Sequence, residues 1–223
     1  MSKYKAVLFD YDGTIVDSNS VIVQSWNYMC NKFVGHELPK EMLVKTFGLP
    51  LLDAFRAVAK EYGLKVDDET IKAMDEAYTS YQYMHTLEGY PTFPGMIDLV
   101  KRLHEEGIKV AIVTSRRKKS LYEGLERYGI ADCFDAIICD ESTDIHKPQP
   151  MPAILACEGC GVDFKDALMV GDSRFDIACG NNAGCDTCFV NWSFSNTKEE
   201  VEAYSPATYY VGSSEEIYEI VTK

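Results

Sequence analysis

Two aspartates one residue apart, Asp10 and Asp12, close a short apolar run, Ala6-Val7-Leu8-Phe9, and lead directly into Gly13-Thr14. Three further segments follow apolar runs in the same manner: Thr114-Ser115, then Lys147 in a later loop, then Gly171-Asp172-Ser173 with Asp176. In open α/β sheets the ligand crevice lies beyond the carboxyl ends of the strands, so these acidic, hydroxyl and cationic groups would converge on one rim. Clustered aspartates repel one another unless a hard divalent cation sits among them, and Mg²⁺ prefers oxygen ligands. The chemistry that uses such a set is phosphoryl transfer. A carboxylate can attack phosphorus and carry the group as an aspartyl-phosphate, the role assigned to Asp10. Asp12 can protonate the leaving oxygen and then activate water. The hydroxyl of Thr114 or Ser115 and the ammonium of Lys147 would stabilise charge on the transferring oxygens. Gly13 lets the backbone turn close to the phosphate. Each group alone has a plainer reading, such as a turn at Asp12-Gly13, a helix cap at Thr114 or a helix-dipole carboxylate at Asp172. Their order along the chain is what favours chemistry.

The elements that must position these groups can be read from periodicity. Tyr4 to Phe9 is a buried strand. Amphipathic helical patterns follow at Val21–Val34, Lys40–Phe47, Leu51–Tyr62 and Asp67–Tyr83, separated by Pro39, Gly48-Leu49-Pro50 and Gly63. After the turn-rich stretch 89–95, strands and helices alternate. Strands are expected at Lys109–Thr114, Ala136–Cys139, Ala167–Gly171, Thr187–Asn191 and Tyr209–Val211. Helices are expected at Met96–Glu106, Lys118–Tyr128, Pro150–Cys160, Phe175–Ala183 and Ser213–Val221. That alternation predicts an α/β fold with a parallel sheet. Residues 1–16 and 90–223 would form the core, and 17–89 an inserted helical lid.

The chain has 223 residues, a formal charge of −13 and 46% hydrophobic residues. This balance excludes disorder and a membrane-spanning composition, and disfavours nucleic-acid or anionic-membrane partners. An anionic ligand would need a bound cation and a placed lysine. The Ala6–Phe9 run is too short for a signal peptide, so a cytoplasmic protein is expected. Two CxxC pairs, Cys157/Cys160 and Cys185/Cys188, have a spacing that zinc ribbons use, but they sit at a helix end and a strand start, where structural thiols are the expectation. Arg116, Arg117 and Lys118 read as solvated surface, as does Arg56 in the lid.

Phe9-Asp10-Tyr11-Asp12-Gly13-Thr14, Thr114-Ser115, Lys147-Pro148 and Gly171-Asp172-Ser173-Arg174-Phe175-Asp176 resemble, in order, the four motifs of the haloacid dehalogenase superfamily. The resemblance spans nearly the whole chain. It implies a Rossmann-like parallel core with an inserted α-helical C1 cap, closing over a small phosphorylated metabolite. It also implies Asp10 as nucleophile, Asp12 as acid/base, and Mg²⁺ held by Asp10, Asp172 and the backbone carbonyl of Asp12, with Asp176 as nearby support. Lys147-Pro148-Gln149-Pro150-Met151-Pro152, Asn181-Asn182-Ala183-Gly184-Cys185 and the lid stretch Phe47-Gly48-Leu49-Pro50-Leu51 look like the branch of phosphoglycolate phosphatases, pyrophosphatases and β-phosphoglucomutases. The mutases carry a cap histidine soon after the first motif; Asn19-Ser20-Val21-Ile22-Val23 has none. Relatives often follow the second-motif Thr with Asn-Lys, where this chain has Ser115-Arg116-Arg117-Lys118. Competing classes fit less well: a phospho-acceptor receiver needs neither the lid nor Asp12, a zinc module would rest on cysteines alone, and haloalkanoate dehalogenases lack the second aspartate.

Overall fold

The computed structural model describes residues 2–46, 49–85 and 89–223. Six strands, β1 (Ala6–Phe9), β2 (Lys109–Val113), β3 (Ala136–Ile138), β4 (Ala167–Gly171), β5 (Asp186–Val190) and β6 (Tyr209–Val211), form one parallel sheet in the order β3-β2-β1-β4-β5-β6. Helices α5 (Met96–Glu105), α6 (Lys118–Arg127), α7 (Met151–Cys160), α8 (Arg174–Ala183), α9 (Lys198–Tyr204) and α10 (Ser214–Thr222) connect and cover it. The runs of β1 and β4 are wholly apolar because parallel strands inside an α/β sheet are covered on both faces. Alternation within β1 divides the core: Val7 and Phe9 pack with residues of α5, α6 and α10, whereas Ala6 and Leu8 pack with residues of α7 and α8.

Strand order reverses direction between β1 and β4, and a crevice opens at such a switch point. Asp10 therefore leaves β1 beside Asp172 leaving β4, with Thr114 leaving β2 on the other side. The sheet remains paired up to the site, since the Asp10 N–H donates to the Val170 carbonyl at 2.9 Å.

Between β1 and α5 the chain forms α1 (Asn19–Phe33), α2 (Lys40–Thr46), α3 (Leu51–Glu61) and α4 (Asp68–His85). These helices hold a core of their own, centred on edge-on contacts among Trp26, Phe55 and Tyr78 with ring centroids 5.1–5.6 Å apart. The two crossings between core and lid lie side by side: the Asp17 N–H donates to Pro91 O at 2.7 Å and the Phe93 N–H to Ile15 O at 3.0 Å.

The periodicity reading omits α9. Its sequence, KEEVEAY, buries Val201 alone among its residues, so it carries almost no apolar period. Among the described residues no helix is long and apolar enough to cross a membrane. All eight cysteines are free. Cys185 packs on the α7/α8 side of the sheet and Cys188 on the opposite side, so the second CxxC pair cannot offer both sulfurs to one metal ion.

Candidate active site

Asp10 sits at the bottom of the crevice, 5% exposed, and Lys147 reaches it from the loop before α7. The Lys147 ammonium donates to Asp10 Oδ1 (2.8 Å), Asp176 Oδ1 (2.6 Å) and the Val113 carbonyl (3.2 Å), which uses its three protons. Burial works against that charge, but Asp10 and Asp176 outweigh it and raise Lys147 above its ordinary value, so it stays an ammonium.

Asp176 is oriented by local sequence. Ser173 caps α8 and accepts from the Asp176 N–H (3.2 Å), while Asp176 Oδ2 accepts from Ser173 N (2.9 Å) and Oγ (2.6 Å). Asp172 precedes this cap. Its Oδ2 accepts from Ser195 Oγ, which shares a hydrogen bond with Ser193 Oγ at 2.8 Å; Ser193 in turn accepts from Asn19 Nδ2 of the lid at 2.9 Å. Gly13, at φ +81°, lies so close to Asp172 that an added Cβ would fall 2.1 Å from Oδ2. Only glycine fits there.

Asp10, Asp172 and Asp176 each offer an oxygen, and the three lie within 4.8 Å of one another. Burial, with the charges of Asp176 and Asp172, raises Asp10 well above the carboxylate range even though Lys147 opposes it. Burial and then Asp176 push Asp172 up to about 7. Ionised together, three carboxylates facing one ammonium would leave two surplus negative charges in a buried pocket, which is why Asp10 and Asp172 are raised and why the set suits a divalent cation with oxygen ligands. The donor set fits a metal ion of the hard, oxygen-preferring kind. Because both oxygens of Asp176 are already engaged, Asp10 and Asp172 are the freer donors.

Asp12 points elsewhere. Its Oδ1 accepts from Arg116 Nη2 (2.7 Å) and Ser18 Oγ (2.5 Å), and its Oδ2 from Arg116 Nε (2.8 Å). Burial would raise this carboxyl, but Arg116 holds it below the ordinary aspartate value. The expectation that Arg116 is solvated surface is thereby corrected. Its side chain is 7% exposed, and its guanidinium carbon lies 5.4 Å and 5.0 Å from the Tyr11 and Tyr90 ring centroids. Thr114 is buried, and its Oγ1 accepts from the Arg116 N–H at 3.1 Å; Ser115 lies beside it on the cavity wall. Arg117 reaches the lid, pairing with Asp75 of α4 at 3.0 Å.

Lid and core enclose a cavity of about 590 Å³ whose floor includes Asp10, Thr114, Lys147 and Asp172 and whose roof includes Ile22, Trp26, Leu51 and Tyr78. Within the glycine-containing lid stretch, Phe47 and Gly48 lie outside the described residues, while Leu49 and Leu51 line the cavity. Ser193, Ser195 and Arg116 are the site residues that sequence reasoning missed. Ser193 and Ser195 stand just past β5, so the strand-end rule could have found them. Nothing local marks Arg116, because its partner is 104 residues away.

A parallel sheet whose switch point holds an Asp-x-Asp turn, a hydroxyl, a lysine and a second acidic turn beneath a helical roof defines a hydrolase of the phosphatase type. The family model for haloacid dehalogenase-like hydrolases matches residues 7–190, and the chain belongs to that family. Among similar proteins, the pyrophosphatase PpaX of Halalkalibacterium halodurans is 29% identical over 96% of this chain and 95% of its own, and a PpaX protein of Clostridium perfringens 33% over 98% of each. A predicted phosphoglycolate phosphatase of Haemophilus somnus superposes with a TM-score of 0.82 at 24% identity, covering 99% of both chains. A β-phosphoglucomutase of Clostridium difficile also reaches 0.82, at 21% identity over 98% and 97%. At those identities the two structures speak for the fold alone.

Proposed function

We propose that this chain is a Mg²⁺-dependent phosphatase that hydrolyses a small phosphorylated metabolite of the phosphoglycolate type through an aspartyl-phosphate on Asp10. The observation that carries the reading is the buried Asp10 carboxylate, held by Lys147 among Asp172 and Asp176 on the floor of the lidded cavity. Asp10, Asp172 and the backbone carbonyl of Asp12 would hold the ion, with Asp176 alongside. Mg²⁺ there would supply positive charge against the carboxylates and the phosphoryl oxygens.

In the first step an Asp10 oxygen forms a bond to phosphorus and the bridging P–O bond breaks; the leaving oxygen takes its proton from Asp12 once that carboxyl has parted from Arg116 and taken up a proton from solvent. In the second, water attacks the aspartyl-phosphate and gives its proton to Asp12; the P–O bond to Asp10 breaks, releasing phosphate and restoring the carboxylate. Thr114, Ser115, Lys147 and the backbone past Gly13 bear the charge on the transferring oxygens. Residues 17–89 serve as a cap that excludes water. Eight unpaired thiols suit a cytoplasmic protein.

Pyrophosphate is a second reading with an observation of its own. Asp12 is held as a carboxylate by Arg116, which favours a leaving group that needs little protonation, such as phosphate. The mutase alternative lacks the cap histidine soon after the first motif, where this chain has Asn19-Ser20-Val21-Ile22-Val23.

A phosphate-release screen over phosphorylated metabolites with Mg²⁺, using Asp10→Asn as the blank, tests the proposal. Wild-type turnover with loss in Asp10→Asn of at least about 10⁴-fold is expected. Full turnover by Asp10→Asn would sink the covalent route.

A further inference from the structure

Among the described residues, the cavity's cations are all on the core side. Among its described lining residues the lid contributes no lysine, arginine or histidine, and its roof is largely apolar and aromatic. The core offers Lys147, Arg116, Arg117 and Lys119. Lys147 is spent on Asp10 and Asp176, Arg117 bridges to Asp75 of the lid, and Lys119 stands on the exposed first turn of α6. Among these four, Arg116 combines a desolvated side chain on the cavity wall with a guanidinium fork shaped for an oxyanion.

That fork is closed on Asp12, the proposed acid/base. Arg116 takes one oxygen of Asp12 through Nε and the other through Nη2, and Ser18, just before α1, donates to Oδ1 as well. With three of its four acceptor positions occupied, Asp12 is turned to Arg116 and Ser18 rather than to a leaving oxygen or an attacking water. The pair also sits between the two crossings to the lid: Ser18 precedes α1, and Tyr90 lies on the return, its ring 5.0 Å from the guanidinium. Parting the pair without a replacement would leave buried charge uncompensated. An incoming anion supplies the replacement.

We propose that Arg116 is a specificity-determining residue that binds a second anionic group on the leaving side of the substrate and gives up Asp12 in exchange. The preferred substrates then carry a carboxylate or a second phosphate next to the transferred phosphoryl group. Phosphomonoesters of neutral alcohols leave the Arg116–Asp12 pair closed. The assignment rests on the phosphatase reading above. Phosphoglycolate and pyrophosphate share the required chemistry and differ in the anion they offer.

The test is steady-state kinetics with Mg²⁺ for wild type, Arg116→Gln and Arg116→Lys on phosphoglycolate, pyrophosphate and glycerol phosphate. Wild type is expected to favour at least one of the two doubly anionic substrates over glycerol phosphate by about 100-fold in kcat/KM, the better one naming the anion. Arg116→Gln should lose about 100-fold on that substrate, largely in KM, and the kcat/KM ratio of that substrate to glycerol phosphate should fall by about 100-fold or more, since the variant also releases Asp12 from the closed pair. Arg116→Lys, which keeps the charge without the fork, should recover about tenfold of the loss. An equal loss on all three substrates would make Arg116 a structural residue and overturn the assignment. So would a wild type without the preference, a result that still bears on the assignment if Arg116→Gln fails to fold. Turnover of glycerol phosphate alone would leave the phosphatase reading standing and remove Arg116's role. No wild-type turnover of any phosphate ester or anhydride would end the phosphatase reading itself.

Discussion

Asp172 shows how burial converts a carboxylate into a pH-dependent cost. Its folded pKa of about 7 lies above the ordinary aspartate value of about 4, because burial and then Asp176 disfavour its charged form. Between those values the folded protein holds a proton that the unfolded chain has lost. Stability from this group is therefore full below about pH 4 and lost as pH rises through about 7. Asp12 works in the opposite sense and in a lower window: Arg116 depresses it, so its contribution is present above the ordinary aspartate value and falls away in acid. A divalent cation needs Asp172 ionised. Thermal melts at pH 5.5 and pH 8 should show a larger Mg²⁺-induced rise in Tm at pH 8, with the metal-free protein losing stability between the two through this group. A Mg²⁺ effect that is equal or larger at pH 5.5 would argue against ligation by Asp172. At this scale the aspartates, Thr114 and Lys147 were legible because each follows a run whose period is local. Ser195 on Asp172 and Arg116 on Asp12 were not, since no local pattern states which distant side chain will fill a carboxylate's remaining lone pairs.

The elements place these groups, and the lid shows what holds two bodies of structure in register. Arg117, at the start of α6, pairs with Asp75 on α4, with side chains 33% and 21% exposed. Such half-exposed pairs contribute about 0.2–1 kcal/mol to stability. Arg117→Ala should therefore move the unfolding free energy by no more than about 1 kcal/mol. If the pair helps seat the lid, KM for the best substrate should rise about three- to tenfold, with little change in the far-ultraviolet spectrum. An unchanged KM would show that the contact is incidental to lid closure. Strand positions were readable to within two residues, the largest miss being the start of β1 at Ala6 rather than Tyr4, because buried parallel strands are short apolar runs. The four lid helices followed from breaks at Pro and Gly. Helix α9 escaped because a seven-residue helix with one buried side chain has no periodic face.

Across the whole molecule, net charge and thiol content have physical consequences that single sites do not reveal. A chain of −13 can take up an anion only where cations are concentrated locally, and the core gathers Lys147, Arg116 and Arg117 around the crevice. Seven of the eight cysteines are buried; Cys133 is partly exposed. Native protein treated with an aromatic disulfide should release about one equivalent of thiolate quickly and the remainder only on unfolding. Fast reaction of four thiols would mean that the CxxC segments open in the native state. The sheet itself divides Cys185 from Cys188, so their spacing describes strand geometry rather than a ligand set.

By itself the sequence determined the parallel α/β order, the helical insertion and the identity of the strand-end groups, because turn residues and apolar periods act over a few neighbouring positions. The tertiary structure alone decided that both Asp176 oxygens are taken up by Lys147 and Ser173, that Ser193 and Ser195 tie Asn19 of the lid to Asp172, and that Arg116 is buried on Asp12. These are pairings of charges and lone pairs removed from water. Which partner each finds depends on the packing of elements far apart in the chain, and burial makes every such choice costly to leave unmet.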